Sequence, residues 1–369
     1  MKKYEVFKIL RNRIMCGKYY AGEKLPGEPD LAAELGVSRM TLRSALQMLR
    51  QARMIRTVDR SGNYITDYDR IQKKYLVLFF GDEVDNMSIA SLYLIQELQK
   101  CLAETNSTLE IFSCSQIRKK FSLSQWQKRL SHGGIAGIFV AGGGYVGNET
   151  ELLFLKESAL PVVLLSGTEA DCGLYDFSVM YRNIKNIFAD GMNYLISLGH
   201  KRIATIFSSA SMRGFTAESY EDFLVSAGIS DCNELVRYFK KKTQVPSIVR
   251  KLMNTDNPPT AFMCFCDTTA MYVLDTLNEL GFDIPGDISV MGCCGYMERL
   301  FTLKPLSIVN FHYDIAAREA VKIMYKSHEW FGSHTKITQV IPHEIVVRKT
   351  TASCCNINNN FSRKEIYEK

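Results

Sequence analysis

Apolar residues recur with a helical period near the start of the chain. Leu42, Ala45, Leu46 and Leu49 follow the i, i+3, i+4, i+7 spacing, which predicts one buried helical face. Ser38 stands just before this segment, where its hydroxyl can accept from free backbone N–H groups of the first turn. The pattern therefore predicts an amphipathic helix that begins just after Ser38.

The polar face of this helix carries residue types that contact DNA. Arg39, Arg43 and Gln47 recur at every fourth position, away from the apolar face. In the major groove Arg can bind guanine and Gln can bind adenine, while Ser38 and Thr41 can bind phosphate. Taken alone, the segment is more typical of an ordinary amphipathic surface helix, so its sequence neighbours decide between the two interpretations.

Those neighbours favour a helix-turn-helix followed by a hairpin. Glu28-Pro29-Asp30 is typical of a helix start, and Gly36 predicts a left-handed turn before the next helix. Glu28 either favours that helix start through its charge or accepts from cytosine N4. Two β-like segments, 54–58 and 63–66, then flank a basic turn, which predicts a wing along the DNA backbone.

Residues 5–66 resemble the winged-helix domain of the GntR family of bacterial transcription regulators. The matching residues are Gly17, Gly22, Leu25, Pro26, Glu28, Leu31, Ala32, Val37, Ser38, Arg39, Thr41, Leu42, Arg43, Ala45, Leu46 and Leu49. Arg53 and Arg60 stand where members of the family usually carry Gly, and Pro29 stands where many carry Arg. The resemblance implies DNA contacts by Glu28, Ser38, Arg39, Thr41, Arg43, Gln47, Arg60, Ser61 and Gly62.

The distribution of charge agrees with a DNA-binding segment at this end. The chain of 369 residues has a formal net charge of +6. Residues 1–70 hold 14 Lys and Arg against 8 Asp and Glu, whereas the remaining 299 residues hold 31 of each. The whole excess therefore lies in the segment that is predicted to bind DNA.

Beyond residue 74 the pattern changes to short apolar runs that alternate with helical stretches. The runs that predict strands are 75–80, 109–112, 135–140, 162–165, 203–207, 261–264 and 288–291. Continuous apolar strands between helices indicate parallel sheets that are covered on both faces. About 280 residues are long for one such sheet, so we expect two α/β subdomains with a cleft between them.

Residues 75–352 resemble the sensor domain of LacI/GalR-type regulators. The stretches that carry the resemblance are 194–204, 259–267, 280–292 and 344–348. The resemblance implies an effector site beyond the carboxyl ends of the strands, with Asp267, Arg213 and Phe311 among its residues. Asp267 can accept two hydroxyl groups, so a sugar or a sugar derivative is the expected effector. His200 is expected to be structural.

Four cysteines fall near the ends of two successive predicted strands. Cys264, Cys266, Cys293 and Cys294 fit either a thiol-based or soft-metal switch, or small apolar residues that fill space beside Asp267. The second interpretation is favoured because no His or spaced Cys pair completes a recognised site. Neither a metal nor a cofactor is expected. Eleven Cys without such spacing indicate a reduced, cytoplasmic protein.

These segments predict the organisation of the whole chain. We expect an α+β winged helix-turn-helix domain at 1–68, a linker at 69–74, a two-subdomain α/β domain at 75–352 and a disordered tail at 353–369. The combination resembles arabinose-responsive repressors, which implies a homodimer on a palindromic operator. No 18 apolar residues run together, so no membrane segment is expected. The alternatives are a winged helix fused to a catalytic domain that binds pyridoxal phosphate, and a non-specific DNA-compacting protein, against which the neutral charge of the large domain argues.

Overall fold

The chain folds into two compact units, each built around a mainly parallel sheet. The computed structural model describes residues 3–15, 18–67, 73–79, 89–105, 107–132, 135–142, 149–157, 160–173, 176–208, 225, 234–296, 304–329 and 336–354. Unit 1 comprises Met1–Tyr181 and Tyr313–Val340, and unit 2 comprises Arg182–His312 and Ile341–Lys369. The chain therefore passes from one unit to the other three times.

Unit 1 begins with a winged helix-turn-helix. Its elements are α1 (Lys3–Met15), α2 (Glu28–Glu34), α3 (Arg39–Gln51), β1 (Ile55–Val58) and β2 (Gly62–Ile65). The two strands pair antiparallel, with Val58 opposite Gly62 at the tip. The predicted helix-turn-helix and hairpin are thus confirmed.

The turn between α2 and α3 follows the sequence signals closely. The helix α2 begins at Glu28, and a proline in its first turn needs no hydrogen-bond partner. Gly36 has a φ of 63°, a left-handed conformation that costs glycine little. The helix α3 then begins after Ser38 and buries its predicted apolar residues in the core of the winged helix-turn-helix, which we call the head.

The rest of unit 1 is a six-stranded parallel sheet with helices. Its elements are β3 (Lys73–Phe79), α4 (Ile89–Ala103), β4 (Ser107–Ser113), α5 (Cys114–Lys120), α6 (Leu123–His132), β5 (Ile135–Ala141), α7 (Thr150–Glu157), β6 (Val162–Gly167), β7 (Ser178–Tyr181), α11 (Tyr313–Glu329) and β13 (Thr338–Val340). The strand order is β13-β7-β6-β5-β3-β4. The strand β5 is buried at every position and carries no polar side chain, as is typical of a central strand in a parallel sheet that is covered on both faces.

One buried hydrogen bond joins the winged helix to this sheet. Arg11 of α1 is 3% exposed, and its Nη2 donates to the carbonyl oxygen of Ala136 at 2.9 Å. The pairing of β3 with β5 shifts register here, so that Lys74 lies opposite Ile135 and Tyr75 lies opposite Gly137. Ala136 is therefore the extra residue of a β-bulge, and its carbonyl accepts from a side chain.

Unit 2 contains the second sheet. Its elements are α8 (Ile184–Ser197), β8 (Ile203–Ser208), β9 (Val236–Phe239), α9 (Val245–Met253), β10 (Ala261–Cys264), α10 (Asp267–Glu279), β11 (Ser289–Cys294), β12 (Ser307–Asn310) and β14 (Glu344–Val346). The strand order is β14-β12-β11-β10-β8-β9, and only β14 is antiparallel to its neighbour among these described strands. The carboxyl ends of β8, β10, β11 and β12 consequently meet at one edge.

The predicted strands are all present, except that residue 80 lies outside the described residues. The structure adds β7, β9, β12, β13 and β14, which the apolar runs did not predict, and it also moves one boundary. Lys73 and Lys74, which the sequence analysis places in the linker, are the first two residues of β3 and pair with β4. Residues 69–72 of that linker, and 355–369 of the predicted tail, lie outside the described residues. The boundaries at 68 and 353 stay predictions.

His200 is a structural residue, as expected. Its ring is 1% exposed, Nδ1 lies 3.0 Å from Thr260 Oγ1, and Nε2 lies 3.1 Å from Ser289 Oγ. Burial lowers the pKa of His200, so the neutral ring is favoured. These contacts tie the loop after α8 to the strands of unit 2.

Candidate DNA-binding surface and effector site

The start of α3 is fixed by a side-chain cap. Ser38 Oγ accepts from the backbone N–H of Thr41 at 3.2 Å, and the two hydroxyl oxygens lie 2.8 Å apart. The cap satisfies one of the free N–H groups that every helix start exposes. Ser38 and Thr41 thus lie together at the positive end of the helix, where a phosphate would be favoured. Their phosphate contacts stay predictions.

The outer face of α3 presents its polar residues to solvent. Arg39, Arg43 and Gln47 are exposed, while the opposite face of the helix is buried. Met40 lies beside them and is 77% exposed, although the sequence analysis gave it no role. Its only signal in the sequence is an apolar residue on the polar side of the helical pattern.

Arg43 is held by an acidic residue of the preceding helix. Its Nε donates to Glu28 Oε2 at 2.7 Å, while 67% of the Arg43 side chain remains exposed. The hydrogen bond to Glu28 raises the pKa of the Arg43 guanidinium, so the guanidinium stays protonated. Glu28 is also the first residue of α2, which is the helix-start role predicted for it. A contact from Glu28 to a base stays a prediction.

The wing presents basic residues on a strained turn. Arg60 has a φ of 54°, in the left-handed region that favours glycine, and Gly62 has a φ of 119°. Ser61 Oγ lies 2.6 Å from the hydroxyl of Tyr64 on the same hairpin. Lys24 forms an isolated bridge to Tyr64, which brings a further positive charge to the hairpin that the sequence analysis did not identify.

A chain of hydrogen bonds connects α3 to the wing. Arg50 Nη1 donates to Thr57 Oγ1 at 3.1 Å, and Thr57 Oγ1 donates to Asn63 Oδ1 at 2.8 Å. These three residues lie on α3, β1 and β2 in turn. The contacts set the position of the wing relative to the outer face of α3. The sequence gives no sign of this network because it depends on tertiary packing.

The carboxyl edge of the sheet in unit 2 carries the predicted effector residue. Asp267 follows β10 directly as the first residue of α10 and is 1% exposed. Its Oδ1 accepts from the N–H of Gly295 at 3.2 Å, just beyond the end of β11. A carboxylate at this edge is a strong hydrogen-bond acceptor for small polar groups. Its contact with an effector stays a prediction.

Further polar groups that sequence reasoning missed lie beside Asp267. The hydroxyl of Tyr296 lies 2.8 Å from Thr268 Oγ1, and burial raises the pKa of Tyr296, which keeps the phenol protonated. Asn310 ends β12, and its Oδ1 accepts from the N–H of His312 at 3.1 Å. Tyr296 lies just beyond the end of β11 and Asn310 is the last residue of β12, so the carboxyl ends of these strands were the signal that could have identified them.

Phe311 is buried, and both its ring and its backbone carbonyl contact Arg182. The guanidinium of Arg182 lies 5.5 Å from the centre of the Phe311 ring, and its Nε donates to the Phe311 carbonyl at 3.4 Å. Phe311 therefore stacks on a cation in this structure. The third predicted effector residue, Arg213, lies outside the described residues.

The four cysteines lie where the sequence places them, at the ends of β10 and β11. Cys264, Cys293 and Cys294 are buried, and Cys266 Sγ lies 3.2 Å from Thr269 Oγ1. Burial raises the pKa of the Cys264 and Cys293 thiols well above their usual range, which favours the protonated form. The burial of these thiols favours the space-filling interpretation. Among the described residues, no three or more His, Cys, Asp or Glu are grouped so that they could hold a metal.

Comparisons with known proteins match two separate segments of the chain. Residues 2–65 match the family model described as bacterial regulatory proteins, gntR family, and residues 192–351 match that of a periplasmic binding protein-like domain. The chain is thus a DNA-binding regulatory protein that also carries an α/β sensor-type domain. Its head is a GntR-family domain, as the sequence predicted, and its second part is periplasmic-binding-protein-like.

Curated relatives support this description. The arabinose metabolism transcriptional repressor of Geobacillus stearothermophilus is 22% identical over 359 residues, covering 92% of this chain and 94% of the relative. The HTH-type transcriptional repressor PurR of Histophilus somni is 25% identical over 248 residues, covering 65% of this chain and 72% of that repressor. Both relatives are transcriptional repressors rather than enzymes, so the pyridoxal-phosphate alternative gains no support.

Solved structures show the same fold. A LacI family transcriptional regulator from Enterococcus faecium, determined with bound ribose, aligns with a TM-score of 0.60 and 16% identity. The alignment covers 75% of this chain and 99% of that regulator. The prediction of two parallel-sheet subdomains is therefore confirmed. No helix in the described part of the chain is long and apolar enough to span a bilayer.

Proposed function

We propose that this protein is a transcriptional repressor whose affinity for an operator is controlled by a small polar effector, a sugar or a sugar derivative. The observation that carries the proposal is the outer face of α3, where Arg39, Arg43 and Gln47 are exposed on a helix that is capped by Ser38 and buried on its other side. Such a face suits direct readout of base edges in the major groove.

The wing and the start of α3 supply contacts that do not depend on sequence. Arg60 and Lys24 on the hairpin bring positive charge, and Ser38 and Thr41 bring hydroxyls to the positive end of the helix. Contacts of this kind attract any duplex and set the register of the head. The specific contacts of Arg39, Arg43 and Gln47 would then select the operator.

The effector part of the proposal rests on the carboxyl edge of the sheet in unit 2. Asp267 is anchored there through Gly295, with the hydroxyls of Thr268 and Tyr296 nearby. One carboxylate with neighbouring hydroxyls suits a ligand that offers several hydroxyl groups. The arabinose repressor and the ribose-bound regulator among the similar proteins support the choice of a sugar.

We further propose that the protein binds its operator as a homodimer. One winged helix buries too little surface for tight and specific binding, so two heads on a palindrome are expected. Sedimentation of the full chain at micromolar concentration should give about twice the monomer mass of 41.9 kDa. A monomer under these conditions would count against the dimeric part of the proposal alone. We also propose a reduced, cytoplasmic location, because none of the eleven Cys has the spacing of a recognised metal site and free thiols are typical of that compartment.

Selection of DNA from a random duplex pool tests the function itself. The full-length protein should enrich an inverted repeat, and it should bind that duplex at least about a thousandfold more tightly than a scrambled duplex at physiological salt. The matched control is Arg39→Ala, a change at an exposed position of α3, which should relax the preference at one base position. Enrichment of no common sequence, with equal affinity for both duplexes, would contradict the proposal.

A further inference from the structure

Met40 is an apolar side chain in the middle of the proposed reading surface. It is the second residue of α3 and is 77% exposed, between Arg39 and Thr41. The face of α3 that packs against the core is formed by other residues, and Met40 does not lie on that face. A single exposed apolar residue is common on protein surfaces, so its position on the helix must carry the argument.

That position places Met40 on the same face as the residues proposed to read bases. Arg43, Ser44 and Gln47 follow it at i+3, i+4 and i+7, which is one face of a helix. In a helix-turn-helix the first residues of the second helix contact base edges. Met40 is therefore at the end of α3 that enters the groove most deeply.

The neighbouring side chains leave the methionine uncovered. The hydroxyl of Ser44 donates to the backbone carbonyl of Met40 at 3.0 Å, so it is turned towards the helix backbone. Arg43 is drawn towards Glu28 on α2. Both polar neighbours are engaged by protein groups, and the thioether faces solvent.

The major groove offers one apolar feature to such a side chain. Among the four bases only thymine carries a methyl group there, while the other edges present hydrogen-bond donors and acceptors. Methionine is flexible and polarizable, and it adapts to irregular apolar surfaces. Contact with a polar base edge would remove water from that edge without replacing its hydrogen bonds.

We propose that Met40 packs against the 5-methyl group of a thymine in each half-site and makes the protein selective for thymine at that position. This inference rests on the proposed function, because it needs an operator in the groove. It adds a specificity-determining residue to the polar set of Arg39, Arg43 and Gln47. The thymine is expected next to the bases that these side chains contact.

Uracil scanning of the selected operator tests the contact. Replacement of one thymine by uracil removes the methyl group and keeps every hydrogen-bonding group of the base. For the wild-type protein, one position in each half-site should be sensitive to this replacement. Uracil at that position should lower the affinity about fourfold, as for the loss of one buried methyl group. For the Met40→Ala variant, thymine and uracil at this position should give the same affinity.

Two matched variants separate Met40 from its neighbours. Met40→Leu keeps an apolar side chain and should keep the sensitivity to uracil, and Thr41→Val should also keep it. Uracil that has no effect at any position, or an effect that is unchanged in Met40→Ala, would overturn the inference and leave the proposed function intact. A wild-type protein that selects no operator would overturn both.

Discussion

Glu28 Oε2 accepts a hydrogen bond from Arg43 Nε at 2.7 Å, across the two helices of the helix-turn-helix. The pair fixes the guanidinium of an otherwise exposed side chain before any DNA is present. An arginine that is already oriented loses less conformational entropy when it binds a base. Glu28 is therefore a positioning residue, with the additional effect of reducing the positive charge at the surface.

Because Glu28 has these two effects, its replacement should raise the affinity for scrambled DNA and lower the specificity for the operator. Glu28→Gln should strengthen binding to scrambled DNA, because one negative charge is removed from the surface that faces phosphates. It should also lower the ratio of operator to scrambled affinity by about tenfold, within the range of one lost base contact. Fluorescence anisotropy with both duplexes measures the two changes separately.

A second variant isolates the role of the pair. In an Arg43→Ala background, Glu28→Gln should cause no further loss of specificity, since its partner is already absent. Glu34→Gln is the matched control, because Glu34 ends the same helix and pairs with Arg13 instead. Losses of specificity that simply add in the double variant would show that Glu28 does not act through Arg43.

Arg39 and Thr41 are expected to differ in what they contribute to binding. Arg39→Ala should cost about 1–3 kcal/mol and relax the preference at one base position. Thr41→Val should weaken all duplexes alike, because a phosphate contact carries no sequence information. Affinities for a set of single-base operator variants distinguish the two patterns. An Arg39→Ala variant that binds the operator with unchanged affinity would show that Arg39 reads no base.

The wing makes a prediction that couples stability to DNA binding. Arg60 has a φ of 54°, so Arg60→Gly should relieve backbone strain and raise the free energy of unfolding by about 1 kcal/mol. It should also reduce the slope of log affinity against log salt by about one, through loss of a phosphate contact. Arg53, with a φ of 55°, is the matched control.

Arg53→Gly should give the same gain in stability and leave the salt dependence unchanged, because residue 53 ends the turn after α3 rather than the wing. Thermal unfolding and anisotropy at several salt concentrations measure both quantities. Equal salt slopes for the wild type and Arg60→Gly would show that Arg60 does not contact a DNA phosphate.

The contact between Arg11 and Ala136 predicts a clear loss of stability. Arg11→Met keeps most of the buried alkyl volume but leaves the bulge carbonyl without its donor. We expect a cost of about 1–3 kcal/mol in the free energy of unfolding, as for a buried acceptor that loses its partner. Lys18→Met removes a charge from an exposed pair and should cost less than about 1 kcal/mol. Similar small losses for both variants would show that the buried contact contributes little.

Local patterns in the sequence predicted the head well. The periodicity of Leu42 and its neighbours and the cap at Ser38 depend only on nearby residues, and both appear as predicted. Arg53 and Arg60 occupy left-handed positions where the resembling family has glycine. The pairs Glu28–Arg43 and Arg11–Ala136 could not be predicted, because they join residues that meet only after the helices pack.

In the sheets, apolar runs predicted the edge strand β4 and most interior strands, whereas the short strands β7, β9, β12, β13 and β14 were not predicted. The strand β5 is buried throughout and gives a continuous apolar run, whereas β9 and β13 include exposed positions and resemble loops. Asp267 followed from the resemblance to LacI/GalR-type sensor domains, which implies a site beyond the carboxyl ends of the strands. Tyr296 lies at the same edge of the sheet, but Cys294 and Gly295 before it have positive φ values, so the direction of its side chain could not be predicted from the sequence pattern.

In the proposed function, a small polar effector controls operator binding through the site at Asp267. The most direct measurement is operator affinity of the full-length protein, titrated with a panel of pentoses and hexoses and with zinc. The Asp267→Asn variant keeps an oxygen acceptor for Gly295 but loses the charge, and Asp256→Asn, at an exposed position of the same unit, is the control.

We predict that at least one sugar changes the operator affinity of the wild type and of Asp256→Asn by about tenfold or more, a typical allosteric coupling. Asp267→Asn should bind the operator normally and show no response to that sugar. A change in affinity with zinc and with no sugar, or an undiminished sugar response in Asp267→Asn, would contradict the account.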